Sequence, residues 1–184
     1  MIKLSEQTPG YSVARTGFPY DEIISQLPMS GTLLEVGSGC GLSAVTFAEK
    51  FAETNRDYTI HTVDIFKGIF CFPPEMGDML GYTGDQQKKY LDRILDSWSN
   101  ISYTECDFFK REWDVPTVFF YDGDHSYDAT LNALLTMREA PYIIVDDYGK
   151  GWLEVIKAVN TFAKETGREM RVIDTEAYGV AVFG

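Results

Sequence analysis

The fold of this chain is decided by the stretch Glu35-Val36-Gly37-Ser38-Gly39-Cys40-Gly41-Leu42-Ser43. It follows the apolar run Thr32-Leu33-Leu34, which is typical of a short buried strand, and it precedes a helical pattern with Leu42, Val45 and Ala48 on one face. The three glycines allow the backbone to turn sharply and to lie close to a ligand before the helix begins. We therefore interpret the stretch as a ligand-binding loop between a strand and a helix.

Short apolar runs and helical patterns alternate along the rest of the chain. Further runs typical of parallel strands end at Val63, Glu105, Tyr121 and Val145. Helical spacing is most regular in the stripe Trp152, Val155, Ile156, Val159, Phe162 and Ala163. This alternation predicts an α/β fold with a mostly parallel sheet and helices on both of its faces.

The two last strands complete the predicted architecture. Met170–Ile173 and Gly179–Phe183 are separated by few residues and are expected to pair as an antiparallel hairpin. With them the sheet has seven strands, and residues 1–184 form a single domain in which residues 1–29 are an N-terminal leader with a helix. In such sheets ligands bind beyond the carboxyl ends of the strands.

Composition excludes several classes of protein. The chain has 16 basic and 28 acidic residues, a net charge of −12 and a pI of about 4.5, and such a surface repels nucleic acid. No apolar run approaches the roughly 20 residues of a membrane helix, and the first residues do not resemble a signal peptide. The three cysteines are scattered and indicate reduced thiols in a cytoplasmic protein.

Two acidic residues beside the loop restrict the kind of ligand. Asp64 ends the second strand, where a carboxylate accepts hydrogen bonds from ribose hydroxyl groups. Glu35 would oppose a pyrophosphate, but it suits a ligand that carries an ammonium or sulfonium charge. The glycine spacing also differs from the G-x-G-x-x-G pattern of dinucleotide-binding proteins. An NAD-dependent oxidoreductase is therefore disfavoured.

These residues resemble the S-adenosylmethionine (SAM) site of class I methyltransferases, which have a Rossmann-like fold. The resemblance implies that Glu35 and the glycine backbone hold the methionyl group, that Asp64 binds the ribose, and that Asp107 meets the adenine amino group. The cofactor-binding residues that it implies are Glu35, Gly37, Ser38, Gly39, Gly41, Asp64, Ile65, Asp107, Phe108 and Asp122.

A second group of polar residues follows the fourth and fifth parallel strands. Asp122-Gly123-Asp124-His125-Ser126-Tyr127 and Asp146-Asp147 come to the same edge of the sheet. Clustered carboxylates suit a hard divalent cation, and they repel one another without a cation or shared protons. The alternatives are structural roles: a solvated strand end at Asp146-Asp147, a turn residue at His125, and Asp124 as the N-cap of a helix starting near Ser126.

This group resembles the metal-dependent small-molecule O-methyltransferases that have a D-G-D-H-x-Y stretch. The resemblance implies that Asp122, Asp146 and Asp147 bind Mg²⁺ or another divalent cation. It implies that His125 is the base that takes the proton from the acceptor hydroxyl. The other histidine, His61, lies inside a strand pattern and is interpreted as structural.

Residues 66–84 form a loop that is rich in apolar residues and contains glycine and proline. It is a lid or acceptor-pocket wall, a small satellite core, or a contact in a homodimer. Residues 109–114, after the third strand, leave little room for the helix that the metal-dependent O-methyltransferases have there.

The leading hypothesis is a SAM-dependent O-methyltransferase that acts on a small hydroxylated acceptor with the help of Mg²⁺. The alternative is a protein of the same fold that binds SAM or S-adenosylhomocysteine (SAH) as a sensor, without methyl transfer. Neither hypothesis involves nucleic acid or a membrane as a partner.

Overall fold

The computed structural model describes residues 3–10, 17–71, 78–149, 151–174 and 179–184. Parts of the predicted leader and of the 66–84 loop, at positions 1–2, 11–16 and 72–77, lie outside the described residues.

The described residues form nine strands and five α-helices. The strands are β1 (Ser30–Val36), β2 (Asp57–Asp64), β3 (Ile69–Cys71), β4 (Leu80–Tyr82), β5 (Ile101–Glu105), β6 (Val118–Tyr121), β7 (Tyr142–Val145), β8 (Met170–Asp174) and β9 (Gly179–Phe183). The helices are α1 (Tyr20–Gln26), α2 (Leu42–Glu53), α3 (Gly84–Leu95), α4 (Tyr127–Thr136) and α5 (Leu153–Thr166).

Seven of the strands form one sheet in the order β5-β2-β1-β6-β7-β9-β8. The pairs from β5 to β7 are parallel, and β9 is antiparallel to both β7 and β8. The predicted α/β fold with a C-terminal antiparallel hairpin is confirmed. The chain leaves β1 towards β2 on one side and returns in β6 on the other, so the strand order reverses between β1 and β6. That reversal opens a crevice at the carboxyl ends of these two strands.

Helices cover both faces of the sheet because successive strand residues point in opposite directions. Leu33 belongs to the core formed with α1, α2 and α3, whereas Leu34 belongs to the core formed with α4 and α5. All four residues of β6 are buried, as expected for a strand in the middle of a covered parallel sheet.

The 66–84 loop contains an antiparallel ribbon of two short strands, β3 and β4, that the sequence did not predict. Ile69 pairs with Tyr82 and Cys71 pairs with Leu80. The side chains of Phe70 and Leu80 in this hairpin are exposed. We call β3 and β4 the ribbon; its role as acceptor wall or homodimer contact stays a prediction.

Between β5 and β6 the chain forms only the 3-10 helix Phe108–Lys110, which agrees with the little room expected there. The leader packs on α2: the Ser5 amide donates to Glu49, and Gly10 contacts Leu42 closely. His61 lies in β2 with its two ring nitrogens 2.8 and 3.0 Å from the hydroxyl oxygens of Ser102 and Thr104, which supports a structural role. None of the described helices has the length and apolar content that crossing a bilayer requires.

Candidate active site

The glycine loop leaves β1 at the strand-order reversal and is held against both neighbouring strands. The Gly37 amide donates to the Val63 carbonyl at 2.9 Å, and the Asp122 amide donates to the Val36 carbonyl at 2.9 Å. Gly37 has a φ of 99°, and a Cβ atom on it would lie 1.8 Å from the backbone oxygen of Asp122. The loop therefore needs glycine at this position for both its conformation and its packing.

Glu35 lies behind the glycine loop and is fully buried. Its Oε1 atom accepts a hydrogen bond from the Ser43 hydroxyl, whereas its Oε2 atom has no hydrogen-bond partner among the described residues. Burial raises the pKa of Glu35 to about 7, with the Ser43 hydrogen bond opposing the shift. An unpartnered, buried carboxylate oxygen fits a nearby ligand that carries a donor or a positive charge, such as the ammonium group of SAM.

Asp64 closes β2 and organises the turn that follows it. Its Oδ2 atom accepts the Gly39 amide at 3.0 Å and its Oδ1 atom accepts the Phe66 amide at 2.8 Å. Each carboxylate oxygen keeps one further acceptor position, so Asp64 can hold the loop and a ribose hydroxyl at the same time. The ribose role expected of Asp64 is compatible with this geometry.

The residues expected around the adenine differ in whether their side chains are exposed at the crevice or buried in the core. Ile65 and Asp107 are exposed, and the Asp107 carboxylate accepts the Phe109 amide at 3.0 Å. The ring of Phe108 is buried in the core and stacks on Trp113. Any contribution of Phe108 to cofactor binding is therefore left to its backbone.

The second group of polar residues converges at the ends of β6 and β7. One ligand atom from each of Asp122, His125 and Asp147 lies within 4.8 Å of the other two. His125 Nε2 is 3.0 Å from Asp147 Oδ2 and 3.9 Å from Asp122 Oδ1, yet within the described part of the chain it makes no hydrogen bond of acceptable geometry. The structure thus brings three of the four residues expected here into one cluster, which we call the acid–histidine cluster.

Asp146 lies beside the acid–histidine cluster but is not one of its members. Its Oδ1 atom accepts the amide of Asp147 at 2.9 Å. Asp147 has a φ of 57°, in the left-handed region, and this backbone conformation accompanies the position of its carboxylate beside His125. Aspartate is among the few residues other than glycine that adopt it readily.

The three carboxylates strongly affect one another and the imidazole. Burial raises the pKa of Asp122 to about 6, and Asp147 adds to the shift while His125 opposes it. Burial also raises the pKa of Asp146 well above its usual value. Burial lowers the pKa of His125, but Asp122 and Asp147 outweigh this effect and raise it to about 9. The cluster therefore has more negative charge than its partly buried position tolerates without a compensating proton or cation.

The spacing within the cluster fits a divalent cation that binds His125 together with the two carboxylates. Octahedral coordination at about 2.1 Å places neighbouring ligand atoms roughly 3.0 Å apart and opposite ones roughly 4.2 Å apart. The two His125 distances given above, 3.0 and 3.9 Å, are close to these values. A nitrogen ligand favours first-row transition ions over Mg²⁺, whereas Asp122, Asp146 and Asp147 without His125 would suit Mg²⁺.

The prediction that Asp124 is the N-cap of α4 is wrong by two residues. Helix α4 begins at Tyr127, and its N-cap is Ser126, whose hydroxyl accepts the Ala129 amide. Asp124 accepts the Ser126 amide at 2.8 Å and so supports the cap from outside the helix. A serine directly before the helix competes for this position with the same chemistry as an aspartate.

An open groove of about 440 Å³ lies beside His125. It is lined by Asp124, His125, Ser126, Gly151, Trp152, Leu153 and Glu154. The Trp152 and His125 rings have their centroids 4.1 Å apart, and 37% of Trp152 remains exposed. Its spacing predicts that Trp152 belongs to the buried stripe of a helix, but α5 begins one residue later, and Trp152 lines the groove instead. The groove gives His125 a surface on which an acceptor can lie.

Comparison with known proteins connects this site to a family. A family model described as a methyltransferase domain matches residues 34–148, a range that includes the glycine loop, Asp64 and the acid–histidine cluster. No curated protein matches the sequence.

Solved structures of similar fold include several methyltransferases. The O-methyltransferase NovP is 22% identical, with a TM-score of 0.60 over 88% of this chain and 74% of that chain. A SAM-dependent methyltransferase from Aquifex aeolicus is 14% identical, with a TM-score of 0.58 over 90% of this chain and 88% of that chain. An O-methyltransferase family protein from Burkholderia thailandensis is 11% identical, with a TM-score of 0.61 over 94% of this chain and 57% of that chain. At these identities the likeness concerns the fold.

Proposed function

The chain belongs to this family of SAM-dependent methyltransferase domains, and we propose that it transfers the methyl group of SAM to a hydroxyl group of a small molecule, assisted by a divalent cation. The main support for this proposal is that the glycine loop and the acid–histidine cluster lie at the same crevice. The backbone of Asp122 contacts Gly37 of the cofactor loop, while its side chain belongs to the acid–histidine cluster. A protein that only binds SAM has no need of such a cluster beside the groove.

Each of the site residues has its own role in the proposed methyl transfer. His125 accepts the proton of the acceptor hydroxyl, the acceptor oxygen bonds to the methyl carbon, and the carbon–sulfur bond breaks with its electron pair on sulfur to leave SAH. Glu35 compensates the charge of the methionyl ammonium, and Asp64 holds the ribose. Much of the rate enhancement comes from placing the two reacting atoms in line.

Asp122 and Asp147 are the proposed ligands of the divalent cation, with Asp146 as the third ligand expected from the sequence. A bound cation makes the acceptor hydroxyl easier to deprotonate. We keep His125 as the base because its ring lines the groove. A cation held by Asp122 and Asp147 would offset the two carboxylates that raise the His125 pKa to about 9, so that the imidazole is neutral and can accept a proton. The metal is therefore Mg²⁺ or another divalent ion that accepts oxygen ligands.

The groove at Trp152 is the proposed acceptor site. Trp152→Ala is expected to raise the KM for the acceptor about tenfold, because an aromatic face of this kind contributes roughly 1–1.5 kcal/mol to a ring that stacks on it. The KM for SAM should stay unchanged. Kinetics with the best substrate from a panel of hydroxylated small molecules measure both, and Trp152→Phe, which keeps a ring, is the control. An unchanged acceptor KM in Trp152→Ala would place the acceptor elsewhere.

Calorimetry with SAM, SAH and NAD⁺, with and without Mg²⁺, tests the proposed cofactor. We expect SAM and SAH to bind and NAD⁺ not to bind. Asp64→Ala should weaken SAH binding at least tenfold, since charge-assisted hydrogen bonds to the ribose are worth about 1.5–3 kcal/mol.

Asp57 supplies a matched control for Asp64, because it lies exposed at the opposite end of β2. Asp57→Ala should bind SAH as the wild type does. SAH affinity that survives Asp64→Ala would move the ribose away from β2.

A further inference from the structure

Gln87 on α3 connects the glycine loop to the root of the ribbon. Its Nε2 atom donates to the carbonyl of Gly39 at 3.1 Å, and its Oε1 atom accepts the amide of Gly68 at 3.0 Å. The residue is only 2% exposed, although its position in the first turns of a helix would let it reach solvent. A buried side-chain amide that satisfies two backbone groups fixes both of them in place.

These two bonds complete a closed ring of hydrogen bonds. On its other side, the Gly39 amide donates to Asp64, and Asp64 in turn accepts the amide of Phe66, two residues before Gly68. The peptide groups around Gly39 are therefore tied to the 64–68 turn twice, by Asp64 and by Gln87. A shift of the glycine loop relative to this turn requires at least one of the bonds to break.

The turn packs closely against the start of α3 where the ring passes through it. Phe66 and Gly68 have φ values of 47° and 96°, and a Cβ atom on Gly84 would lie 1.9 Å from the Phe66 carbonyl oxygen. The ribbon begins directly after Gly68, and Ile69 lies within van der Waals distance of the position a Gly39 Cβ atom would occupy. Gly39 is thus next to the first residue of β3 in space as well as joined to the preceding turn by hydrogen bonds.

We propose that Gln87 is a positioning residue that couples SAM binding at the glycine loop to the conformation of the ribbon. The inference rests on the proposed function, because it takes Gly39 and Asp64 as parts of the SAM site. SAM or SAH holds the glycine loop in one position, and Gln87 passes this restraint to Gly68 and the strands that follow it.

Hydrogen exchange measured by mass spectrometry tests the coupling with SAH as the ligand. In the wild type, SAH should slow exchange in residues 66–71 and 79–82 by about fivefold, which corresponds to one hydrogen bond held more firmly. Gln87→Met has nearly the same volume but neither hydrogen bond. We expect it to bind SAH about fivefold more weakly, and saturating SAH should leave exchange in the ribbon unchanged.

Two further variants keep the result interpretable. In Gln87→Glu the carboxylate can still accept the Gly68 amide but cannot donate to the Gly39 carbonyl, so this variant should also lose the ribbon response. It keeps the test possible if Gln87→Met does not fold. Gln86→Met is the matched control: Gln86 is the exposed neighbour that completes the capping box of α3 with Thr83. It should keep the full response.

The outcomes separate the two proposals. SAH protection of the ribbon that is equal in wild type, Gln87→Met and Gln87→Glu would overturn the coupling and leave the proposed function standing. Loss of the response in Gln86→Met as well would also overturn it, since the effect would then follow from the stability of α3. Failure of the wild type to bind SAH would overturn the proposed function and the coupling together.

Discussion

His125→Ala is expected to lower the turnover of methyl transfer by about 10²- to 10⁴-fold, the usual contribution of a positioned general base. SAH affinity should remain within about twofold of the wild type, because the cofactor contacts assigned to Glu35, Asp64 and the glycine loop do not involve the imidazole. The loss should be largest for acceptors whose hydroxyl group has a high pKa. Steady-state kinetics and calorimetry on the same preparation give both quantities.

The second histidine of the chain provides the control. His61→Ala removes an imidazole from β2, where it is hydrogen-bonded to Ser102 and Thr104 and takes no part in lining the groove, and it should leave turnover unchanged. Exhaustive treatment with EDTA should abolish transfer in the wild type while SAH still binds. Turnover that survives either EDTA or His125→Ala would contradict the corresponding part of the mechanism.

Metal titration separates the two possible roles of His125. If His125 is the base, Mn²⁺ binding measured by calorimetry is unchanged in His125→Ala and weakened in Asp147→Asn. If His125 is a ligand, as the cluster geometry also allows, His125→Ala weakens Mn²⁺ binding and excess metal restores part of the activity.

Gly37→Ala should destabilise the protein by about 3 kcal/mol or more and abolish SAH binding. The added methyl group would lie 1.8 Å from the Asp122 carbonyl oxygen, which belongs to the backbone and cannot rotate away. The residue would also have to keep a φ of 99°, which alanine strongly disfavours. Urea denaturation gives the free energy of unfolding, and calorimetry gives the loss of SAH binding.

Gly39 is the matched comparison, two residues along the same loop. It also has a positive φ, 53°, but an added methyl group would meet nothing closer than Ile69 at 3.5 Å. Gly39→Ala should therefore lose only about 1–2 kcal/mol of stability, the conformational cost alone. Equal stabilities of the two variants would show that the approach of Asp122 to the loop is not what requires glycine.

Most of the sheet could be predicted because its strands carry a strong signal. Runs such as Val118-Phe119-Phe120-Tyr121 are short, apolar and followed by turn residues, which is typical of a strand buried on both faces. The ribbon could not be predicted in this way. Its strands have three residues each, too few to show a period of two, and they lie in a loop with glycine and proline.

The sequence predicts which polar residues lie at the strand ends of the site, but not which of their side chains contact one another. The sequence predicts that Asp122, His125, Asp146 and Asp147 meet, but it does not show which of the two consecutive aspartates lies beside His125. In the structure it is Asp147, which has a left-handed φ of 57°. Gln87 gave no signal, because a glutamine in a polar helix start is ordinarily solvated. Trp152 gave a misleading one, since its spacing matched the buried stripe of α5.

The long-range pairing of β1 with β6 has a consequence for how the pocket comes into being. Thr32 and Thr117, which join the starts of these strands, are 85 positions apart, and contacts of such separation form slowly because a long loop must first close. Gly37 reaches its final environment only when the Asp122 carbonyl arrives next to it. During synthesis the cofactor pocket therefore matures late: a nascent chain can build α2 and the β1–β2 pair early, but it gains affinity for SAM only after β6 has left the ribosome and entered the sheet.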